Sequence, residues 1–349
     1  MAQDMRFDRD YLIRILMELV TIPSPTGFTE AVMERVDAEL RSLGYSPRRT
    51  RKGASILELA GTGDAPGRGL TAHVDTLGAM VKEIKSSGRL RLTKIGGFAW
   101  NTVEGEGCQV FTSEGRSYRG SLLIAKASGH VHGQAVSESA RDDAGMEVRL
   151  DERVSTAEEV RERGIAVGDF VAFDPRAEYG EAGFFRSRHL DDKAGVACLL
   201  TVLQALKKRD WTPHVDTVFH FSNYEEVGHG AASGFPPDLG ELVAVDMAAV
   251  GEGQTSDEFH ATICVKDSMG PYSHALSQRL RALAEKFSIP VKVDIYPYYG
   301  SDAEAYWRAG GDVETALIGP GIDASHNYER THQDALNATV ELLLAYLQS

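Results

Sequence analysis

From Asp191 onward, strand-like runs at 217–222, 242–246, 260–265, 291–296 and 314–319 take turns with helical runs at 191–208, 273–287, 302–309 and 332–347. Such alternation predicts an α/β sandwich, in which helices cover a shared sheet. Upstream, 8–20 and 29–43 read as amphipathic helices separated by Pro23-Ser24-Pro25-Thr26-Gly27, and strands follow at 54–59 and 69–74. Between 79 and 174 the texture changes to short alternating runs with polar turns, at 79–84, 90–95, 109–112, 121–124, 147–150 and 169–173. That pattern predicts a small β-rich module. The chain therefore reads as one discontinuous α/β domain, 1–78 and 177–349, split by an insert at 79–176.

Several of these runs end in chemistry-bearing residues. Val218-Phe219-His220-Phe221-Ser222-Asn223 stops at Tyr224-Glu225-Glu226-Val227-Gly228, two adjacent carboxylates entering a turn. Neighbouring side chains of an extended segment point to opposite sides, so adjacent acids can share a site only once the strand has turned. One can then bind a metal while the other handles protons. His73-Val74-Asp75 follows Gly69-Leu70-Thr71-Ala72, Asp191-Asp192 opens a long apolar helix, Asp246 ends Leu242-Val243-Ala244-Val245, and His326 follows the run 315–319 and its loop. Imidazole mixed with carboxylate suits zinc, cobalt or manganese, whereas oxygen alone would have suggested magnesium or calcium. Each cluster also has a plain reading: a hydrogen-bonded strand-end histidine, acids capping a helix N-terminus, a solvated acid pair.

The chain carries 51 acidic against 37 basic residues, and its formal charge of −14 argues against nucleic acid or an anionic membrane as partner. No run reaches the roughly 20 apolar residues needed to cross a bilayer, and Met1-Ala2-Gln3-Asp4-Met5-Arg6 lacks the apolar core of an export signal. Cys108, Cys198 and Cys264 are too widely spaced for a disulfide framework or a cysteine zinc site, and read as small buried hydrophobes. The expected location is the cytoplasm. The glycine-rich loop 61–67 precedes a strand and lacks a Gly-Lys-Ser/Thr ending, so it is not read as a phosphate cradle.

Taken in order, Ala72-His73-Val74-Asp75-Thr76-Leu77-Gly78, Leu190-Asp191-Asp192-Lys193-Ala194-Gly195, Glu225-Glu226-Val227-Gly228, Val245-Asp246 and Ser325-His326 resemble the marks of metallopeptidase family 42, the tetrahedral aminopeptidases of glutamyl and deblocking type. The resemblance runs nearly end to end, including the insert. It implies a three-layer α/β metallopeptidase domain with a mostly parallel or mixed central sheet, interrupted by a β-barrel-like insert. It further implies two divalent metals, zinc or cobalt with manganese as the other choice, bridged by Asp191. One would also be held by His73 and Asp246, the other by Glu226 and His326. Glu225 would be the general base, and Asp75 would accept from the far nitrogen of His73. Lys193 stands where the family often has arginine, and the residues around His326 depart from its usual Arg-Tyr pair. That ending resembles a bacterial branch linked to synthesis of the osmoprotectant N-acetylglutaminylglutamine amide. His332 could compete with His326 for metal, or instead cap the C-terminal helix.

The expected activity is removal of N-terminal residues from short peptides. Two rivals are a deacylase or amidohydrolase of the same fold acting on an acylated amino acid or small amide, and a scaffold without activity. An inserted β-module brings edges and surface that must be covered, and in relatives it builds dimers that associate into a dodecamer. A homo-oligomer, from dimer to dodecamer, is therefore expected.

Overall fold

The computed structural model describes residues 5–349, and residues 1–4 of the N-terminal stretch read above lie outside it. The central sheet places strand Ser55–Leu59 beside Thr217–Ser222, then Gly67–His73, Leu239–Val245 and Glu314–Asp323. The four strands from Thr217–Ser222 to Glu314–Asp323 are parallel to their neighbours, while Ser55–Leu59 runs antiparallel at one side and Ala261–Lys266 at the other. The sheet is mixed, as expected.

Side-chain alternation makes the layers. On the Leu239–Val245 strand, Val243 and Val245 enter one core with the helices Arg9–Val20, Leu190–Lys208, His274–Phe287 and Gln333–Leu347. Leu242 and Ala244, pointing the other way, join Ala303 of the helix Asp302–Arg308. Helices thus cover both faces. Leu190–Lys208 is the central one, buried from Leu190 to Leu206, and each leucine or valine it buries contributes about 1.5–3 kcal/mol. Its neighbour strands close tightly at one point: a Cβ on Gly319 would fall 1.7 Å from the Asp246 carbonyl oxygen, so only glycine lets that strand end stay in place.

The insert closes on itself. Strands Gly78–Ile84, Leu90–Ile95, Met146–Leu150, Ser117–Ile124, Gly107–Phe111 and Phe170–Phe173 form, in that order, an antiparallel barrel with its own apolar interior. Closure removes sheet edges. The exposed edges expected to drive association are therefore absent from the barrel strands described.

Two short strands, Phe184–Ser187 and Glu329–His332, were not expected from the sequence. They pair antiparallel, with Ser187 opposite Glu329, and join the main sheet where Arg330 meets Asp323. Both lie next to segments that carry site residues.

Candidate metal centre

The parallel strands end along one rim of the sheet, where α/β folds place their ligands. His73 is the last residue of its strand, and Asp246 directly follows Val245. After Ser222 the chain turns through Tyr224, whose backbone is left-handed (φ +68°), into the single helical turn Glu225–Val227. That turn is what lets both acids face the same pocket. Asp191 lies at the irregular start of its helix, and His326 sits in the turn before Glu329, also left-handed (φ +62°).

Asp191 stands between the imidazoles. Its Oδ1 is 3.2 Å from His73 Nε2, and its Oδ2 is 3.4 Å from His326 Nε2. Glu225 Oε2 and Asp246 Oδ2 lie 3.7 and 3.9 Å from His73 Nε2, and Glu226 Oε2 lies 3.7 Å from His326 Nε2. Two sets offer ligand atoms within 4.8 Å of one another: His73, Asp192 and Asp246, and Asp191, Glu226 and His326. Asp192 enters the first set although its carboxylate already accepts from the amides of Gly195 (3.1 Å) and His73 (3.2 Å). The capping read in the sequence for this acid pair thus belongs to Asp192. Asp191, Glu225, Glu226, Asp246 and His326 line a cavity of about 370 Å³, together with Met247, Tyr298 and Tyr299, while His73 and Asp192 lie behind its wall.

The expected contact of Asp75 with His73 takes a different form. His73 Nδ1 is 2.9 Å from the Asp75 main-chain oxygen, whereas the Asp75 carboxylate is 3.6 Å away. That carboxylate instead accepts from the amides of Glu225 (3.1 Å) and Glu226 (3.3 Å) and from the Thr26 hydroxyl (2.6 Å). Three directed donors outcompete one longer contact. On the other ring, His326 Nδ1 lies 2.5 Å from the carbonyl of Gly97, which belongs to the insert.

Other polar groups fix the same turn. Asp302 accepts from the Thr71 hydroxyl (3.0 Å) on the His73 strand, from the Ser222 hydroxyl, and from the Ala231 amide (2.8 Å). Lys193 is fully buried and donates to the Ile22 carbonyl at 2.6 Å, and desolvation lowers it to about 7. His332 caps the helix Gln333–Leu347, its Nδ1 accepting from the Asp334 amide at 3.2 Å. Among the described residues, His130 and His132 join no ligand cluster.

The electrostatics fit a cation. Desolvation, with Asp191 adding, pushes Glu226 up to about 8 and Asp246 up to about 7, and Glu225 is raised well above the usual carboxylate range. Desolvation opposes charge on His326, yet its bond to Asp191 and the Glu226 charge bring it up to about 11. Carboxylates that resist ionisation beside imidazoles that hold protons describe crowded negative charge. Divalent ions would replace those protons, and the mixed nitrogen and oxygen donors suit a transition metal. The residues present therefore fit the metals that the sequence implied.

A sheet-end cluster of this composition, on a mixed α/β sandwich with a barrel insert, defines a metal-dependent hydrolase. Residues 53–342 match the family model described as M42 glutamyl aminopeptidase, and the chain belongs to that family of metallopeptidases. It is 49% identical over 337 residues to "Putative aminopeptidase YhfE" of Bacillus subtilis strain 168, covering 97% of both chains. It is 25% identical to the lysyl aminopeptidase of Pyrococcus furiosus, covering 96% of each. Among solved structures, aminopeptidase APDkam598 of the archaeon Desulfurococcus kamchatkensis superimposes with a TM-score of 0.86 at 24% identity, covering 98% of this chain and 95% of that one. The TET1 peptidase of Pyrococcus horikoshii, described as assembling into a tetrahedron or a large octahedral shell, gives 0.83 at 23% identity, covering 97% and 99%. The osmoprotectant branch finds no support among these relatives.

Glu329 escaped the sequence reading. It is completely buried, and its carboxylate meets the main chain of both Asp191 and His326. A lone glutamate in Asn327-Tyr328-Glu329-Arg330 carries no signal that it would be buried.

Proposed function

We propose that the chain is a dinuclear metal aminopeptidase that releases N-terminal residues from short peptides in the cytoplasm. The observation that carries this reading is Asp191, with one carboxylate oxygen facing each imidazole. In this reading Asp191 would serve both ions, His73 and Asp246 would complete the set for one, and Glu226 and His326 the set for the other. Asp192, its oxygens already taken by amides, braces the His73 strand. Zinc, cobalt or manganese would serve. When bound, two such ions supply Lewis acidity toward water and toward the scissile carbonyl.

Glu225 takes the proton of the attacking water and returns it to the leaving amine, a contribution of about 10²–10⁴ in rate. Its raised affinity for a proton suits that exchange. Asp75 holds the Glu225 amide, so the base stays beside the pocket rather than swinging into solvent. Tyr299 donates to the Met247 carbonyl at 2.8 Å and so fixes the opposite wall.

The insert, 79–176, serves assembly in this reading, supported by the relative that forms closed shells rather than by any open edge. The three cysteines are free and buried, which suits a reducing compartment. The test is a panel of aminoacyl-coumarins and short peptides, each with a free or acetylated amine, run with zinc, cobalt and manganese. N-acetylglutaminylglutamine amide belongs in the same panel. Cleavage that requires a free α-amine supports the aminopeptidase. Turnover of the acetylated set alone would make the chain a deacylase if acetate is released and an amidohydrolase if the amide on the carboxyl side is cut, and tight metal binding without turnover on any substrate would make it a scaffold.

A further inference from the structure

Two proposed ligands of the second site sit on backbone that no regular ladder fixes. Asp191 has φ −76° and ψ 109° at the start of its helix, and His326 lies in a turn with φ +62°. The His326 ring is also the most open of the set, with 40% of its side chain exposed. Something else must set the gap between them. The antiparallel pair Phe184–Ser187 and Glu329–His332 brings Ser187 opposite Glu329, four residues before Asp191 on one side and three after His326 on the other. From that register Glu329 extends one carboxylate between the two segments: Oε2 accepts from the Asp191 amide at 3.0 Å and Oε1 from the His326 amide at 3.0 Å.

We propose that Glu329 is a positioning residue that locks the main chain of Asp191 to that of His326, so that the second metal meets a preset gap. This rests on the reading of Asp191 and His326 as ligands. Chemistry selects glutamate for the task. Two N–H donors converge on the side chain, and only a carboxylate offers an acceptor oxygen to each. Glutamine would turn an NH₂ group toward one of them, and aspartate, one methylene shorter, would reach only one. The carboxylate touches neither the pocket nor a substrate; its effect passes through the backbone of the residues it holds. Groups of this kind commonly change metal affinity about 10–100-fold when altered.

Cobalt(II) titrated into the metal-free protein, followed by its visible absorption, tests the proposal on wild type, Glu329→Gln, Glu329→Asp and His326→Ala. Amide hydrogen exchange across 189–193 and 324–328 is measured on the same metal-free samples. We expect two ions in wild type and loss of one in His326→Ala. Glu329→Gln and Glu329→Asp should bind that same ion about 10–100-fold more weakly, with faster exchange in both segments, and saturating cobalt should restore turnover. A residue that merely stabilises the fold would lower the melting temperature without singling out one ion. If either Glu329 variant folds and takes both ions with wild-type affinity and exchange, while His326→Ala loses one, the lock is wrong and the ligand reading stands. If His326→Ala keeps both ions, the ligand reading fails and the proposal with it.

Discussion

Asp75 reaches Glu225 through the main chain: its Oδ1 accepts the Glu225 amide at 3.1 Å. The acidic turn is thus pinned from below by a residue that lies on the neighbouring strand end. Asp75→Asn sets an amide NH₂ against one of the two amides it holds, Glu225 or Glu226. We expect kcat to fall about 10–100-fold with both metals retained, read by steady-state kinetics beside elemental analysis. Unchanged kcat would show that the turn holds itself.

Glu225 and Glu226 are adjacent and chemically identical, so their roles separate only by position. Glu225→Gln should keep both metals and bind substrate while kcat drops by about 10² or more. Glu226→Gln should lose metal, and excess metal should restore part of its activity. Metal content and kcat, measured side by side, reverse the assignment if the depletion appears in Glu225→Gln instead.

Asp191→Ala should empty both sites, since each imidazole faces one of its oxygens. His73→Ala or Asp246→Ala should lower occupancy of one site only, and Glu226→Ala or His326→Ala that of the other. Two metals per chain in purified Asp191→Ala would remove the bridge.

Glu304 gives a stability effect away from the metals. Both of its carboxylate oxygens are buried without a hydrogen-bond partner, and desolvation with neighbouring Asp267 pushes it up to about 8, against 4.5 when free. The folded state therefore holds this proton more tightly than the unfolded chain. Its stabilisation is complete below about 4.5 and is lost progressively as pH climbs to about 8. Glu304→Gln mimics the protonated form and should flatten that decline, gaining on the order of 2–4 °C in Tm at pH 9 relative to wild type. Parallel Tm curves for the two proteins from pH 5 to 9 would contradict it.

In assembly, we expect at least a dimer, with closed shells as in the horikoshii relative. Sedimentation at micromolar concentration should give masses well above the 38.0 kDa chain, and a monomer mass would sink the expectation.

The sequence showed the elements whose apolar period is long. The strands around 217–222 and 314–319 and the helix 191–208 were legible because burial on one or both faces writes itself into every second or fourth residue. Phe184–Ser187 and Glu329–His332 were not, since four residues reading Phe-Phe-Arg-Ser in one and Glu-Arg-Thr-His in the other are too few and too mixed to leave a period. The same divide runs through the site. His73, Asp191, Glu225, Glu226, Asp246 and His326 stood out as polar residues at the ends of apolar runs, and the structure brings them into one cluster, five of them lining the pocket and His73 behind it. Glu329 and Gly97 act by a carboxylate turned to backbone and by a backbone carbonyl. Neither role depends on a side-chain pattern, so only three-dimensional placement exposes it.

The contact between Gly97 and His326 alters how the insert should be regarded. A barrel that only glued subunits together could be exchanged for another adhesive module without the chemistry noticing. Here a loop of the barrel reaches back and touches the ring that faces Asp191, so a graft at the two junctions would carry away part of the catalytic wall. Insert and sandwich are consequently heritable as a pair, and a recombinant built by swapping barrels between relatives has to match this loop before its surfaces matter.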